Sequence, residues 1–237
     1  MTTPPFAYYT NGLMHLQEVL SEISIWIVIC PLLLGIYCFR STSADTKIIL
    51  GIVALATIPQ LMRAFILKGP MLNTTYNLYT LAEIALIGWL LYPKIIHKHR
   101  QRLFIITTCL VTLFNIGIFG WSGLSTRFLS EAVSVNNLVY TGWILLIILD
   151  QYEVTDGISP SQPFFWYLTG ILLYAPCTML VFSLWQYIKI HPDSVITRLW
   201  VIQSIFNITM YGLFTIGIWK DHRAHAANIA HHRENGK

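Results

Sequence analysis

Apolar residues in this chain fall in long blocks, and short polar connections separate them. A bilayer core of about 30 Å needs roughly 20 such residues at a rise of about 1.5 Å each. Seven stretches reach that scale: Ser21–Phe39, Lys47–Leu67, Thr74–Tyr92, Leu103–Trp121, Val133–Leu149, Phe164–Tyr187 and Arg198–Trp219. The fifth is the shortest and opens on Val-Asn-Asn, so Asn136 and Asn137 are expected to face protein rather than lipid. No connection is large enough for a soluble domain, and no internal repeat is visible. The pattern predicts an all-α polytopic membrane protein, a seven-helix bundle over Ser21–Trp219. An extracytoplasmic segment, Met1–Leu20, precedes it and a cytoplasmic His-rich and basic tail, Lys220–Lys237, follows.

Composition agrees with the pattern. The chain of 237 residues is 55% hydrophobic and 11% charged, against about 25% charged in soluble domains. That leaves too little polar surface to coat a globule in water. Residues Met1–Leu20 lack a basic start, and the first apolar run begins late, so it reads as a retained helix rather than a cleaved signal. Cys30, Cys38, Cys109 and Cys177 lie inside apolar segments without CxxC spacing and read as small buried hydrophobes.

Charge sets the expected orientation. With the N-terminus outside, the cytoplasmic side carries Arg40, Lys47, Lys94, Lys98, Arg100, Arg102, Lys220, Arg223, Arg233 and Lys237. The outer side carries Arg63, Lys68, Arg127, Lys189 and Arg198. The positive-inside rule therefore favours N-out, C-in. Asp150, Glu153 and Asp156 dissent, but acids weigh little in that rule. The basic excess suits anionic headgroups, and the interleaved basic and aromatic surface that binds nucleic acid is missing. Aromatics mark the interfaces, with Trp121, Trp185 and Trp200 at outer ends and Tyr92, Trp166 and Trp219 at inner ends. Pro31, Pro59 and Pro176 fall inside spans and read as kinks.

An ionisable side chain at mid-membrane is costly and marks function by default. Glu83 is the clear case, and at helical spacing it shares a face with Tyr76, Tyr79 and Thr80. Counted from the outer helix ends at about 1.5 Å per residue, Glu83, Asn207 and Thr178 lie roughly 13 Å deep. Gln60, Arg63, Asn115, Asn137, Tyr140 and Gln203 lie within about 5–11 Å of the outer end. Gln203, Asn207 and Tyr211 form a second stripe, and Tyr174 is a further ligand-binding candidate. Polar side chains thus crowd the outer halves and the inner halves are apolar, which predicts an outward pocket floored by Glu83 and Asn207. The competing reading is interhelical glue, with Glu83 paired to Arg63.

Other chemistry finds less support. His97 and His99 sit in a basic connection, and His222, His225, His231 and His232 in a tail that reads as solvated, without a third and fourth ligand at fixed spacing. The Asp150/Glu153/Asp156 run reads as a solvated loop. The last span lacks a Schiff-base lysine, the spans lack histidine, and HExxH, GxSxG and P-loop patterns are missing. No cofactor is implied.

The segments Tyr76–Glu83, Phe164–Ala175 and Leu199–Trp219 resemble those of a group of uncharacterised bacterial seven-helix membrane proteins. The matched positions are Tyr79, Thr80, Glu83, Phe165, Trp166, Gly170, Tyr174 and Asn207. The resemblance implies a compact seven-helix bundle with a link to signalling, and a bacterial cytoplasmic (inner) membrane is the expected location. Three functions follow in order: a sensor whose outward pocket binds a small ligand and signals through a separate cytoplasmic or membrane partner, a proton-coupled or small-solute carrier using Glu83, and an intramembrane enzyme.

Overall fold

The computed structural model describes residues 17–65, 70–123, 127–155, 157–184, 187, 190 and 199–235, with the backbone alone for 64, 65, 155 and 228–235. Residues 1–16 of the N-terminal segment, and Lys68, Asp156, Trp185, Lys189 and Arg198, fall outside the described residues. For His231 and His232 only the backbone is described.

The long helices are α1 (Gln17–Ser41), α2 (Ala44–Phe65), α3 (Pro70–Leu91), α4 (Lys98–Ser122), α5 (Ser130–Thr155), α6 (Pro163–Ser183) and α7 (Leu199–Asn235). Proline opens α3 and α6, where its missing N–H costs nothing. Gly123, at a φ of 72°, closes α4 by donating its N–H to Phe119. Helix α1 turns at Ile27 and Val28, just ahead of Pro31, while α2 and α6 run through Pro59 and Pro176.

Among the described residues, 6 helices are long and apolar enough to cross a membrane. The chain is therefore an all-helical integral membrane protein. Helix α3, at 22 residues, matches α2 in length but is not among them. Asn73, Thr74, Thr75, Asn77, Thr80 and Glu83 depress its hydropathy.

Six of these helices close a ring. α1 packs on α2 and α7, α2 on α3, α3 on α5, α5 on α6, and α6 on α7. Helix α4 stands outside it, against α5 and the edge of α3. Phe104 and Trp143 stack there at 4.2 Å, and the Trp143 indole donates to Thr107 at 2.9 Å. Leu103, Ile106, Leu110, Leu113 and Ile116 of α4 are exposed, as a lipid-facing surface should be.

The most extensive helix pairing is α6–α7. A Cβ on Gly217 would come within 2.4 Å of the Tyr167 ring, and one on Gly170 within 3.3 Å of the Met210 carbonyl. Small residues allow such approach where lipid supplies no hydrophobic drive between helices.

At the end of the bundle far from Gln17, the fold refines one sequence expectation and corrects another. The residues after Trp219 continue α7 as helix to Asn235, exposed over 223–227, with Asp221 and His222 anchored in the bundle. Asp221 accepts hydrogen bonds at 2.7 Å from both the Ser43 N–H and the Thr46 hydroxyl, and Thr46 bonds Tyr167 at 2.7 Å. Ser41 bonds the His222 ring at 2.6 Å. Asp150 is not part of a solvated loop: it is fully buried and accepts from the Ile96 N–H, from His97, and from Arg100 at 2.9 Å. Arg100 also reaches Glu153, at 2.5 Å. The half of the bundle far from Gln17 is therefore apolar in its middle and polar at its base. A layer of Ile49, Val53, Ile87, Leu91, Ile144, Ile147 and Ile218 fills the middle.

Candidate functional site

The site begins as a helical repeat. On α3, Tyr76, Tyr79, Thr80 and Glu83 recur three and four residues apart, so they form one stripe turned into the ring. Tyr79 donates its hydroxyl to Glu83 one turn along. Thr80 bonds back to the Tyr76 carbonyl at 2.9 Å, and its own carbonyl accepts from Asn136 at 3.3 Å. Asn77, on the flank of the stripe, donates to the Arg127 carbonyl at 3.0 Å and accepts from the Leu129 N–H at 3.2 Å. These two bonds fix the chain entering α5 against α3.

The opposing stripe is on α7. Asn207 donates to the Ser24 hydroxyl at 2.8 Å and to the Ser24 carbonyl at 3.0 Å, which ties α7 to α1. Gln203 lies a turn above it and Tyr211 a turn below. Between the stripes is a cavity of about 720 Å³ reaching from the helix ends at Gln17, Leu72 and Trp200 down to Glu83. Small-molecule sites fall in the range of about 300–1,000 Å³. Below the floor is a separate space of about 20 Å³, closed by Ile52, Ile87, Ile171, Met210 and Phe214. It has room for one water molecule. Glu83, Tyr79, Asn137, Tyr174 and Tyr211 border both spaces.

The structure brings most of the expected residues together. Gln60, Arg63, Tyr79, Thr80, Glu83, Asn137, Tyr174, Gln203 and Asn207 all line the large cavity. Tyr140 borders only the small space beneath. Asn115 and Thr178 line neither. Asn115 is on α4, outside the ring, and donates to Asn136 at 2.8 Å, so it is interhelical glue. Thr178 is buried in the packing of α6.

Arg63 does not pair with Glu83. It is exposed in the last turn of α2, its guanidinium against the Tyr76 hydroxyl. Tyr76 precedes Glu83 by seven residues on α3, about 10 Å along the helix axis, which separates the two charges. Among the described residues, Glu83 is the only acid and Arg63 the only base that line the cavity.

The mouth carries aromatics that helical spacing does not reveal. Tyr76 and Phe128 meet at 6.0 Å between ring centroids, Phe128 and Phe182 at 5.3 Å, and Phe182 and Trp200 at 5.8 Å. This arc joins α3, the chain before α5, α6 and α7. Phe128 lies in a connection, where periodicity is silent. Trp200 reads in sequence only as an interface marker. Tyr76 and Tyr211 show in the stripes, yet their place in the lining emerges only from the fold.

Chemically, the cavity offers one carboxylate at depth, amides on five helices, and aromatic rings at floor and mouth. Such groups hold a ligand by charge, hydrogen bonds and π-faces. No family model, curated protein or solved structure matches this chain.

Proposed function

We propose that this protein is a seven-span membrane sensor, N-out and C-in in a bacterial cytoplasmic membrane. Its outward cavity binds a small ligand and its cytoplasmic end signals through a separate partner. The observation that carries the reading is the one-sidedness of the cavity. It runs from the outer helix ends to Glu83 and stops on an apolar layer, beneath which the helix ends are tied by Asp150 and Asp221. In this reading α3 is the seventh span, its polar stripe screened from lipid by α2 and α5. The basic side chains Arg40, Lys47, Lys94, Lys98, Arg100, Arg102, Lys220 and Arg223 lie at the end opposite the cavity mouth, as the inner leaflet favours.

Glu83 and the stripes on α3 and α7 would sense occupancy, because a ligand between them favours one spacing of those helices over another. Helix α7 continues to the base, where its Asp221 is bonded to Thr46 of α2 and Thr46 to Tyr167 of α6, and a partner would read the shift there.

The test is a paired measurement on the reconstituted full chain. The sensor reading expects an Asn207→Cys thiol to be labelled from the outer side alone, with no solute or proton flux in sealed vesicles. Robust flux that is lost in Glu83→Gln would replace it with a carrier.

A further inference from the structure

Resting on that reading of the cavity, we infer that its ligand is a small organic ammonium ion, held between the Glu83 carboxylate and an aromatic cage of Tyr79, Tyr174 and Tyr211.

Three observations converge. First, the charge within the cavity is ordered by depth: Glu83 is at the floor, and Arg63 is exposed at the mouth against Tyr76. A cation can descend past the mouth to the acid, while an anion would be held at Arg63 and repelled below. Second, Glu83 is bonded by Tyr79 and still opens on the cavity, so the remaining acceptor capacity of its carboxylate faces the ligand. A carboxylate kept at this depth needs compensating charge or hydrogen bonds. Third, the walls are aromatic at both levels. Tyr79, Tyr174 and Tyr211 surround the floor, and the arc from Tyr76 through Phe128 and Phe182 to Trp200 rims the entrance.

Ring faces carry negative quadrupole density and attract cations, and cages of this kind recognise quaternary ammonium groups. A neutral ligand would satisfy the amides of Gln203 and Asn207 but leave the carboxylate uncompensated. The ammonium group therefore belongs at Glu83, and the polar remainder of the ligand toward Gln60 and Gln203. The same chemistry could come from a soluble amine or from the choline headgroup of a lipid.

The experiment is calorimetric titration of the full chain in phosphatidylglycerol nanodiscs, which contain no choline headgroup. The probes are choline and its uncharged isostere 3,3-dimethylbutan-1-ol. Choline is expected to bind at least about tenfold more tightly. That preference is expected to vanish in Glu83→Gln and to survive in Arg63→Gln. Loss of choline binding when phosphatidylcholine replaces the lipid keeps the ligand class and identifies the headgroup as its source. Equal binding of the two probes, or a preference that survives Glu83→Gln, overturns the ammonium assignment and leaves a binding cavity intact. Binding of neither probe also overturns it, and outer-side labelling of Asn207→Cys then decides separately whether the cavity is open. If Glu83→Gln fails to fold, Tyr174→Leu carries the same arm: it keeps the charge, removes a ring face, and is expected to weaken choline more than the isostere. Equal weakening of both overturns the cage.

Discussion

Tyr79 and Glu83 are bonded along one face of α3, so the acid at the floor of the cavity already has one donor from its own helix. The pair needs no movement of a neighbouring helix to form. The carboxylate thus has a partner within its own helix and remains open to a second one.

That arrangement gives the first prediction. Tyr79→Phe removes the donor and is expected to lower stability in detergent by about 1–2 kcal/mol, the range for a hydrogen bond to a charged group in a helical bundle. Glu83→Gln retains an acceptor and should cost less. In a double-mutant cycle the two changes should couple by about 1 kcal/mol. Additive losses in chemical denaturation would mean that the bond contributes nothing to the fold.

A second prediction concerns the α6–α7 contact. A leucine at Gly217 would drive a side chain into the Tyr167 ring, where even a Cβ comes within 2.4 Å. Tyr167 is fully buried and bonded to Thr46, so it cannot simply swing away. Gly217→Leu should lower stability by about 3 kcal/mol or prevent insertion, as overpacking in a filled core does. Gly212→Leu is the control, because a Cβ there meets nothing within 4 Å. Comparable melting curves for the two variants would contradict the close contact.

These cases show which features the sequence carries. The spans are legible because lipid demands long apolar runs, and Glu83 is legible because a lone acid in such a run is expensive. Partners are not legible, since hydropathy says nothing about which helix stands beside which. Asn115 and Asn137 look alike in sequence, yet α4 lies outside the ring, so Asn115 bonds Asn136 while Asn137 reaches the cavity. Asp150 resembled a loop acid because its partners, His97 and Arg100, come from a different connection. The rim at Phe128 depends on a connection being pinned by Asn77, a contact without any periodic signature.

A third prediction separates the base from the site. Thr46 links Asp221 and Tyr167 and is fully buried. Thr46→Val keeps the shape and removes the bonds to Asp221 and Tyr167 together with a longer one from Ser43, so it should cost about 1–3 kcal/mol. Because Thr46 does not line the cavity, outer-side labelling of Asn207→Cys should be unchanged in the folded fraction. A stability loss accompanied by lost labelling would show that base and cavity form one cooperative unit rather than two.

The fourth prediction tests α3 and the orientation together. If α3 spans the bilayer, the connections before and after it lie on opposite sides, although its hydropathy alone does not require this. Position 73 in its first turns opens on the cavity, and position 159 lies in the exposed connection after α5. In intact cells or right-side-out vesicles, a membrane-impermeant maleimide should label Asn73→Cys and leave Ser159→Cys untouched until the membrane is opened. The native thiols do not obscure the result, because Cys30 and Cys109 lie on apolar helix faces, Cys38 is buried, and Cys177 is half-buried within the apolar span of α6. A maleimide needs a hydrated thiolate, which lipid denies. The opposite pattern would invert the topology and turn the cavity to the cytoplasm. Labelling of both positions from outside would mean an even number of spans between them. Since α4 and α5 separate the two sites in addition to α3, that result would remove one of the three helices from the membrane. The polar stripe on α3 makes it the helix such a result would point to, and its burial between α2 and α5 is the reason to expect otherwise.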